Sequence, residues 1–288
     1  MTVQTTTPTT VSPTAPTNSL FPAMPADNAG ASFLIATYEV AARTVKKFIR
    51  SPQLIIAGTA QGALFLLIFR YVFGGAIAHT GSLSYVDFVI PGFVVTSVLF
   101  SGMGAATGIA EDLQGGLFDR LRSLPIRLVS IISGRVTADS TLLTWSLAFT
   151  TFIGVLVGFR THNGPWAAAA AFGLCMLYGF VFVWLFIGLG LLAGSPQAAQ
   201  GLSFLVFPLT FVSSAYVPVS TMPGWMQVFA NHQPLTYMSN TVRLLAEGHG
   251  AEQLLGQSVG AYLLPSLAWS AGIVLVFVPL TVYRLRRS

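Results

Sequence analysis

Six long apolar stretches dominate this sequence, at 52–73, 86–109, 128–159, 165–193, 198–219 and 259–283. At about 1.5 Å per residue, even a 22-residue stretch reaches about 33 Å as a helix, enough for a hydrocarbon core of roughly 30 Å. Only 8% of the 288 residues are charged, too few to wet a globule of this size, so water is not the solvent of most of the surface. The expected fold class is an all-α polytopic membrane protein with six transmembrane helices.

Residues 1–30 are a Thr-, Pro- and Ser-rich run, read as a disordered cytoplasmic tail. The run lacks the charged start, apolar middle and small-residue cleavage site of a signal peptide, so the first span is expected to act as the insertion signal. Residues 31–50 mix Phe33, Leu34, Tyr38 and Phe48 with Arg43, Lys46, Lys47 and Arg50, too charged to span. Two readings fit: an amphipathic helix in the headgroup plane against anionic lipid, or a solvated helix leading into the first span.

With a cytoplasmic N-terminus, eleven of the fourteen Lys and Arg residues fall inside and only Arg70, Arg160 and Arg243 fall outside. That bias predicts both termini inside a cell membrane. It also explains the net charge of +5 without nucleic acid, which would need a clustered basic face. His79, His162, His232 and His249 are too scattered in sequence to suggest a ligand cluster, and the lone Cys175 lies in an apolar run, so no metal site is predicted.

The charged residues near the spans fall towards their ends, so no ionisable group is placed to harvest an ion gradient at mid-membrane. Arg135 and Asp139, four apart, can pair on one helix face and anchor the inner end of the third span. No H-E-x-x-H helix and no G-x-x-x-x-G-K-[ST] loop occurs, so neither metalloprotease chemistry nor ATP hydrolysis is expected of this chain. Small residues at Gly102, Gly104, Ala105, Ala106 and Gly108, and at Gly188, Gly190, Ala193 and Gly194, permit close helix approach, either within the chain or at a seam with a second one.

Two connecting segments carry the remaining information. In 111–127, Leu113, Leu117, Leu121 and Leu124 recur at helical spacing and Pro125 stops the run, predicting a short amphipathic cytoplasmic helix suited to docking. In 220–250, with Pro218 just before it, Pro223 and Pro234 interrupt helices while Trp225, Met226, Val228 and Phe229 keep the segment apolar. This reads as a broken, partly re-entrant extracellular cap over a translocation path, or as a hairpin that stabilises the outer end. Non-helical backbone at membrane depth requires protein or a water-lined cavity to satisfy it.

These residues resemble the membrane subunits of type-2 ABC exporters, particularly permeases of the daunorubicin-exporter kind. The first match is Glu111, Gly115 or Gly116 in place of a single family glycine, then Leu117, Arg120, Leu121, Leu124 and Pro125, with Asp112 beside Glu111 counted among the coupling residues the resemblance implies. The second is the phrase from Tyr216-Val217-Pro218 through Met222-Pro223-Gly224-Trp225 to His232-Gln233-Pro234. The resemblance implies a permease for an amphipathic drug, lipid or glycolipid, paired with a second copy or a paralogue. It implies cytoplasmic ATPase subunits that bind ATP and Mg, docked at 111–125 and at the 31–50 helix, with no cofactor on this chain. It also places the first, second and fifth spans along the path, where Phe69, Phe100, Met103, Phe204, Phe207, Phe211 and Tyr216 are the candidate lining residues. The alternative is a stand-alone gradient-driven transporter or a small-molecule-modifying membrane enzyme.

Overall fold

A computed structural model describes residues 33–50, 64–73, 83–118 and 128–287. The described residues are helical with short connections. In chain order the helices are α1 Phe33–Ile49, a helical stretch 64–73 whose last five residues Phe69–Phe73 are a π-helix, α2 Tyr85–Gln114, α3 Leu128–Leu156, α4 Pro165–Ala193, α5 Pro196–Phe204, α6 Phe207–Phe211, α7 Gly224–His232, α8 Pro234–Glu247, α9 His249–Leu255 and α10 Val259–Arg287. A 3₁₀ turn, Val219–Thr221, precedes α7. Among the described residues four helices are long and apolar enough to cross a membrane: Tyr85–Gln114, Ser130–Leu156, Pro165–Ala193 and Val259–Arg284.

The helix ends follow local chemistry. Ser84 caps α2, accepting from Asp87 N at 3.2 Å while its hydroxyl donates to Asp87 Oδ2 at 2.6 Å. Pro165 opens α4, where a missing N–H costs nothing, and Gly194 closes it with φ +72°. Ser195 and Pro196 then start α5.

Helix α2 is the axis of the fold. Its residues Phe88 through Leu99 are all buried, packed among α4, α8, α5 and α3. A side chain at Gly190 of α4 would overlap the Ala106 carbonyl of α2, and one at Gly102 would sit 2.7 Å from Phe186. Those small residues therefore serve close packing between α2 and α4 inside one chain. Helix α1 lies along α3, where a Cβ at Gly134 would meet Val40 Cβ at 2.6 Å.

Three sequence expectations change. First, 198–219 is not one continuous helix. Pro208 supplies no N–H for the Phe204 carbonyl, so α5 ends at Phe204, α6 lasts only to Phe211, and the chain then leaves helical geometry. Second, Glu111 and Asp112 are not part of a separate cytoplasmic helix but end α2, which stops at Gly115 and Gly116, the latter at φ +65°. Leu113 and Leu117 therefore lie on opposite sides of a turn instead of on one stripe, and Phe118 beyond it is buried. Third, α3 ends at Leu156, short of the expected 159. The tail 1–30, most of the span 52–73, and Arg120, Leu121, Leu124 and Pro125 lie outside the described residues.

Candidate translocation surface and outer cap

The broken fifth span carries a ladder of aromatic rings. Phe204 stacks on Phe207 at 5.1 Å between centroids, Phe207 contacts Phe211 at 5.2 Å, and Phe211 contacts Tyr216 at 5.3 Å. Phe100 of α2 joins Phe207 at 5.5 Å, and Phe69 of the π-helix lies parallel to Tyr216 at 4.6 Å. All six aromatic residues assigned to the path from sequence thus form one contiguous series. Met103 lies partly buried against the core. Phe93 belongs to the series as well, 6.5 Å from both Phe69 and Tyr216. Its position seven residues before Phe100, two turns along the same helix face, is the signal that could have found it.

The rings differ in exposure. Tyr216 is buried and its hydroxyl donates to Thr96 Oγ1 at 2.9 Å, while Phe204 and Phe211 are exposed. The series therefore runs from a fixed buried end onto an open flank of the chain, where flat apolar faces offer contact area to an aromatic partner.

Beyond Phe211 the backbone is not helical, and its polar groups are met by side chains. Gln233 Nε2 donates to the Val212 carbonyl and, at 3.3 Å, to that of Leu209, carbonyls at the end of α6 that lack intrahelical partners. Thr236 Oγ1 accepts from Ser214 N at 3.2 Å, and Ser213 Oγ accepts from Ala215 N at 3.1 Å. The segment rests directly on α2, where a side chain at Gly92 would overlap the Ala215 carbonyl.

Arg243 completes this arrangement, a role that sequence reading missed. Placed among the outer charges by the topology argument, it is 0% exposed. Its Nε donates to the Phe88 carbonyl at 2.9 Å, Nη2 to the Ser214 carbonyl at 2.7 Å, and Nη1 to Ser214 Oγ at 3.1 Å and Asn240 Oδ1 at 2.5 Å. The guanidinium also lies 3.8 Å over the Phe88 ring. Burial lowers its pKa to about 9, so it stays charged at neutral pH. No local motif marks a buried arginine whose partners besides Asn240 are 29 and 155 residues away.

The cap that carries Arg243 is built from α7 and α8. Pro223 sits at the N-cap of α7 and Pro234 at the first turn of α8, so these prolines begin helices. Pro218 precedes the 3₁₀ turn, and Trp225 is 75% exposed. At the far end of α8, Asn163 Nδ2 donates to the Leu245 carbonyl at 3.2 Å, and the His162 and Asn163 amides both reach the Ala246 carbonyl. His162 Nδ1 lies 2.7 Å from Glu247 Oε2. Burial pushes Glu247 up to about 7, and the hydrogen bond to Glu247 raises His162. Sequence spacing hid this cluster, because 85 residues separate the pair.

At the opposite end, the ion pair read from the spacing of Arg135 and Asp139 is present at 2.8 Å, and Asp112 of α2 joins it at 2.5 Å. The last turn of α2 is thereby tied to α3. Of the basic residues on and after α1, Arg43, Lys46 and Arg50 are exposed, and Lys47 lies on the same helix.

Four long apolar helices, with α2 as their axis, define an all-α polytopic membrane protein. A family model for the ABC-2 type transporter matches residues 36–245, and the chain belongs to that family. It is 34% identical to the daunorubicin resistance ABC transporter permease protein DrrB1 of Streptomyces coeruleorubidus, over 85% of this chain and 84% of that one. It is 26% identical to the probable doxorubicin resistance ABC transporter permease protein DrrC of Mycobacterium tuberculosis, over 91% and 92% respectively. The inner membrane transport permease YadH of Escherichia coli K12 is 24% identical over 73% of this chain and 82% of that one.

Proposed function

We propose that this chain is the membrane-spanning subunit of an ATP-driven exporter that moves an amphipathic, aromatic drug outward across the cell membrane. Its two termini lie in the cytoplasm, and a second permease copy or a paralogue completes the path. ATP and Mg are handled by separate ATPase subunits. These dock where the end of α2, the turn at Gly115–Gly116 and Leu117 approach the cytoplasm, beside the basic helix α1. The observation that carries the reading is the aromatic series on the broken fifth span, in a chain whose relatives are named for daunorubicin and doxorubicin resistance.

A passive conduit of this kind receives its power stroke through the inner ends of its helices. The Asp112–Arg135–Asp139 cluster binds α2 to α3 there, so a push on the α2 end is shared by both helices. Charged residues at such a surface orient docking while apolar ones supply contact area.

Co-expression with a candidate ATPase, followed by purification and reconstitution into vesicles, tests the assignment. ATP-dependent, vanadate-sensitive daunorubicin uptake into inverted vesicles is expected, and Leu117→Asp should lose the ATPase on purification. Phe207→Ala with Phe211→Ala should lower drug transport while leaving ATPase association intact. Equal transport by the purified permease with no ATPase present would refute the reading, and unchanged association of Leu117→Asp would refute the docking surface.

A further inference from the structure

At the outer ends of three elements lies a cluster to which the transport reading gives no task. Asp87 stands in the first turn of α2, His162 in the turn between α3 and α4, and Glu247 at the end of α8. One ligand atom from each residue lies within 4.8 Å of the other two. The arrangement is held in place: Asp87 accepts from Ser84 Oγ at 2.6 Å, and the His162 amide is fixed to the Ala246 carbonyl at 2.9 Å.

Glu247 supplies a second, separate observation. Its side chain is 0% exposed, and Oε1 has no hydrogen-bond partner among the described residues. Buried carboxylate oxygens ordinarily have donors, so an orphan beside two further ligand-type groups marks a place for a cation. Arg243, one turn earlier, spends its donors on Ser214, Asn240 and Phe88.

We propose that Asp87, His162 and Glu247 form an outward-facing binding site for a divalent transition-metal ion of the zinc type. One imidazole nitrogen with two carboxylate oxygens is a mixed donor set that suits zinc, whereas magnesium and calcium take oxygen ligands in larger numbers. Three protein ligands leave one position of a tetrahedral ion open, and the His162 side chain is 58% exposed, so that position faces the outside. Nδ1 and Oε2 stand 2.7 Å apart, sharing a proton; ligand atoms around zinc sit about 3.3 Å apart, so binding requires the exposed imidazole to draw back from Oε2. The bound ion takes the place of that proton and staples the cap helix to the start of α2 and to the α3–α4 turn.

The test uses the full-length permease, purified through a tag without histidines and stripped with EDTA. Zinc titration calorimetry and thermal unfolding read binding directly, so the outcome does not depend on transport activity. One zinc per chain and a zinc-dependent rise in the unfolding midpoint, absent with magnesium, are expected. His162→Ala and Asp87→Asn, both outside the packed core, should each weaken binding by at least about tenfold. Lowering pH from 7.5 to 5.5 should weaken it too, because the ligands bind metal only when deprotonated. His249→Ala removes the exposed His249–Glu252 contact and should leave affinity unchanged. Absence of stoichiometric zinc in the wild-type chain overturns the proposal, as does equal affinity in both His162→Ala and Asp87→Asn, or a loss in His249→Ala that matches theirs.

Discussion

Arg243 holds Ser214 by both of its oxygens, the hydroxyl at 3.1 Å and the carbonyl at 2.7 Å, and so fastens the cap helix to the unwound end of the fifth span. The same guanidinium reaches the Phe88 carbonyl at 2.9 Å, joining a third element. A planar fork is required, since a lysine ammonium at the end of a flexible stem cannot meet these acceptors at once. Arg243→Lys should lower unfolding free energy by about 3 kcal/mol, and Arg243→Met by more because buried acceptors lose their donor. Thermal unfolding in detergent, with daunorubicin transport in parallel, measures both.

The close seat of residues 213–216 on α2 depends on Gly92, where any side chain would overlap the Ala215 carbonyl. Backbone cannot swing aside as a side-chain tip can, so Gly92→Ala should cost about 1–3 kcal/mol and reduce transport. Gly104 lies on the same helix, and a methyl group there would have nothing within 4 Å, so Gly104→Ala should be neutral or slightly stabilising. Equal behaviour of the two variants would contradict the packing argument.

Asp112 and Arg135 join the end of α2 to the first turns of α3, with Asp139 as the second acceptor. A double-mutant cycle of Asp112→Asn and Arg135→Gln should give a coupling free energy of about 1–3 kcal/mol. In the proposed complex with an ATPase, both single variants should transport less drug per ATP hydrolysed, and the double variant should be no worse than the poorer single one. Additive losses would show that the pair does not act as a unit.

In metal-free buffer the His162–Glu247 contact should make stability fall as pH rises. Burial raises Glu247 from the ordinary carboxylate range to about 7, and its hydrogen bond raises His162, so the folded chain holds a proton that the unfolded chain releases earlier. The contribution is complete near pH 4.5, declines through pH 7 as Glu247 titrates, and is lost above the raised pKa of His162. Unfolding midpoints measured from pH 5 to 8 should show this slope in the wild type and a flatter one in Glu247→Gln. An identical slope in the variant would assign the pH dependence to other groups.

Much of the architecture can be read along the chain because membrane spans announce themselves. Long apolar runs, Pro165 before α4 and Gly194 after it are local signals with local causes, whereas the leucine spacing across Gly115 and Gly116 masked the turn that ends α2. Pro208 was also visible, yet the hydropathy of 198–219 outweighed it, since a window average does not register one missing N–H. The aromatic residues of the ladder could be nominated from residue type and span, and the structure brings them together. The polar side of the site could not. Gln233 satisfies carbonyls more than 20 residues away, and Arg243, counted from sequence as an outer charge, is wholly enclosed. Its enclosure depends on tertiary contacts that neither composition nor spacing encodes. The cluster of Asp87, His162 and Glu247 was missed for the same reason.

The unwound stretch after Phe211 lends its amides and carbonyls to Gln233, Thr236 and Arg243, all residues of the cap. Prising cap from stretch would strand several of these groups at once in a medium with little water to receive them. Cap, stretch and the Phe88–Gly92 part of α2 are therefore expected to move as one block, with the exposed rings of Phe204 and Phe211 along its edge.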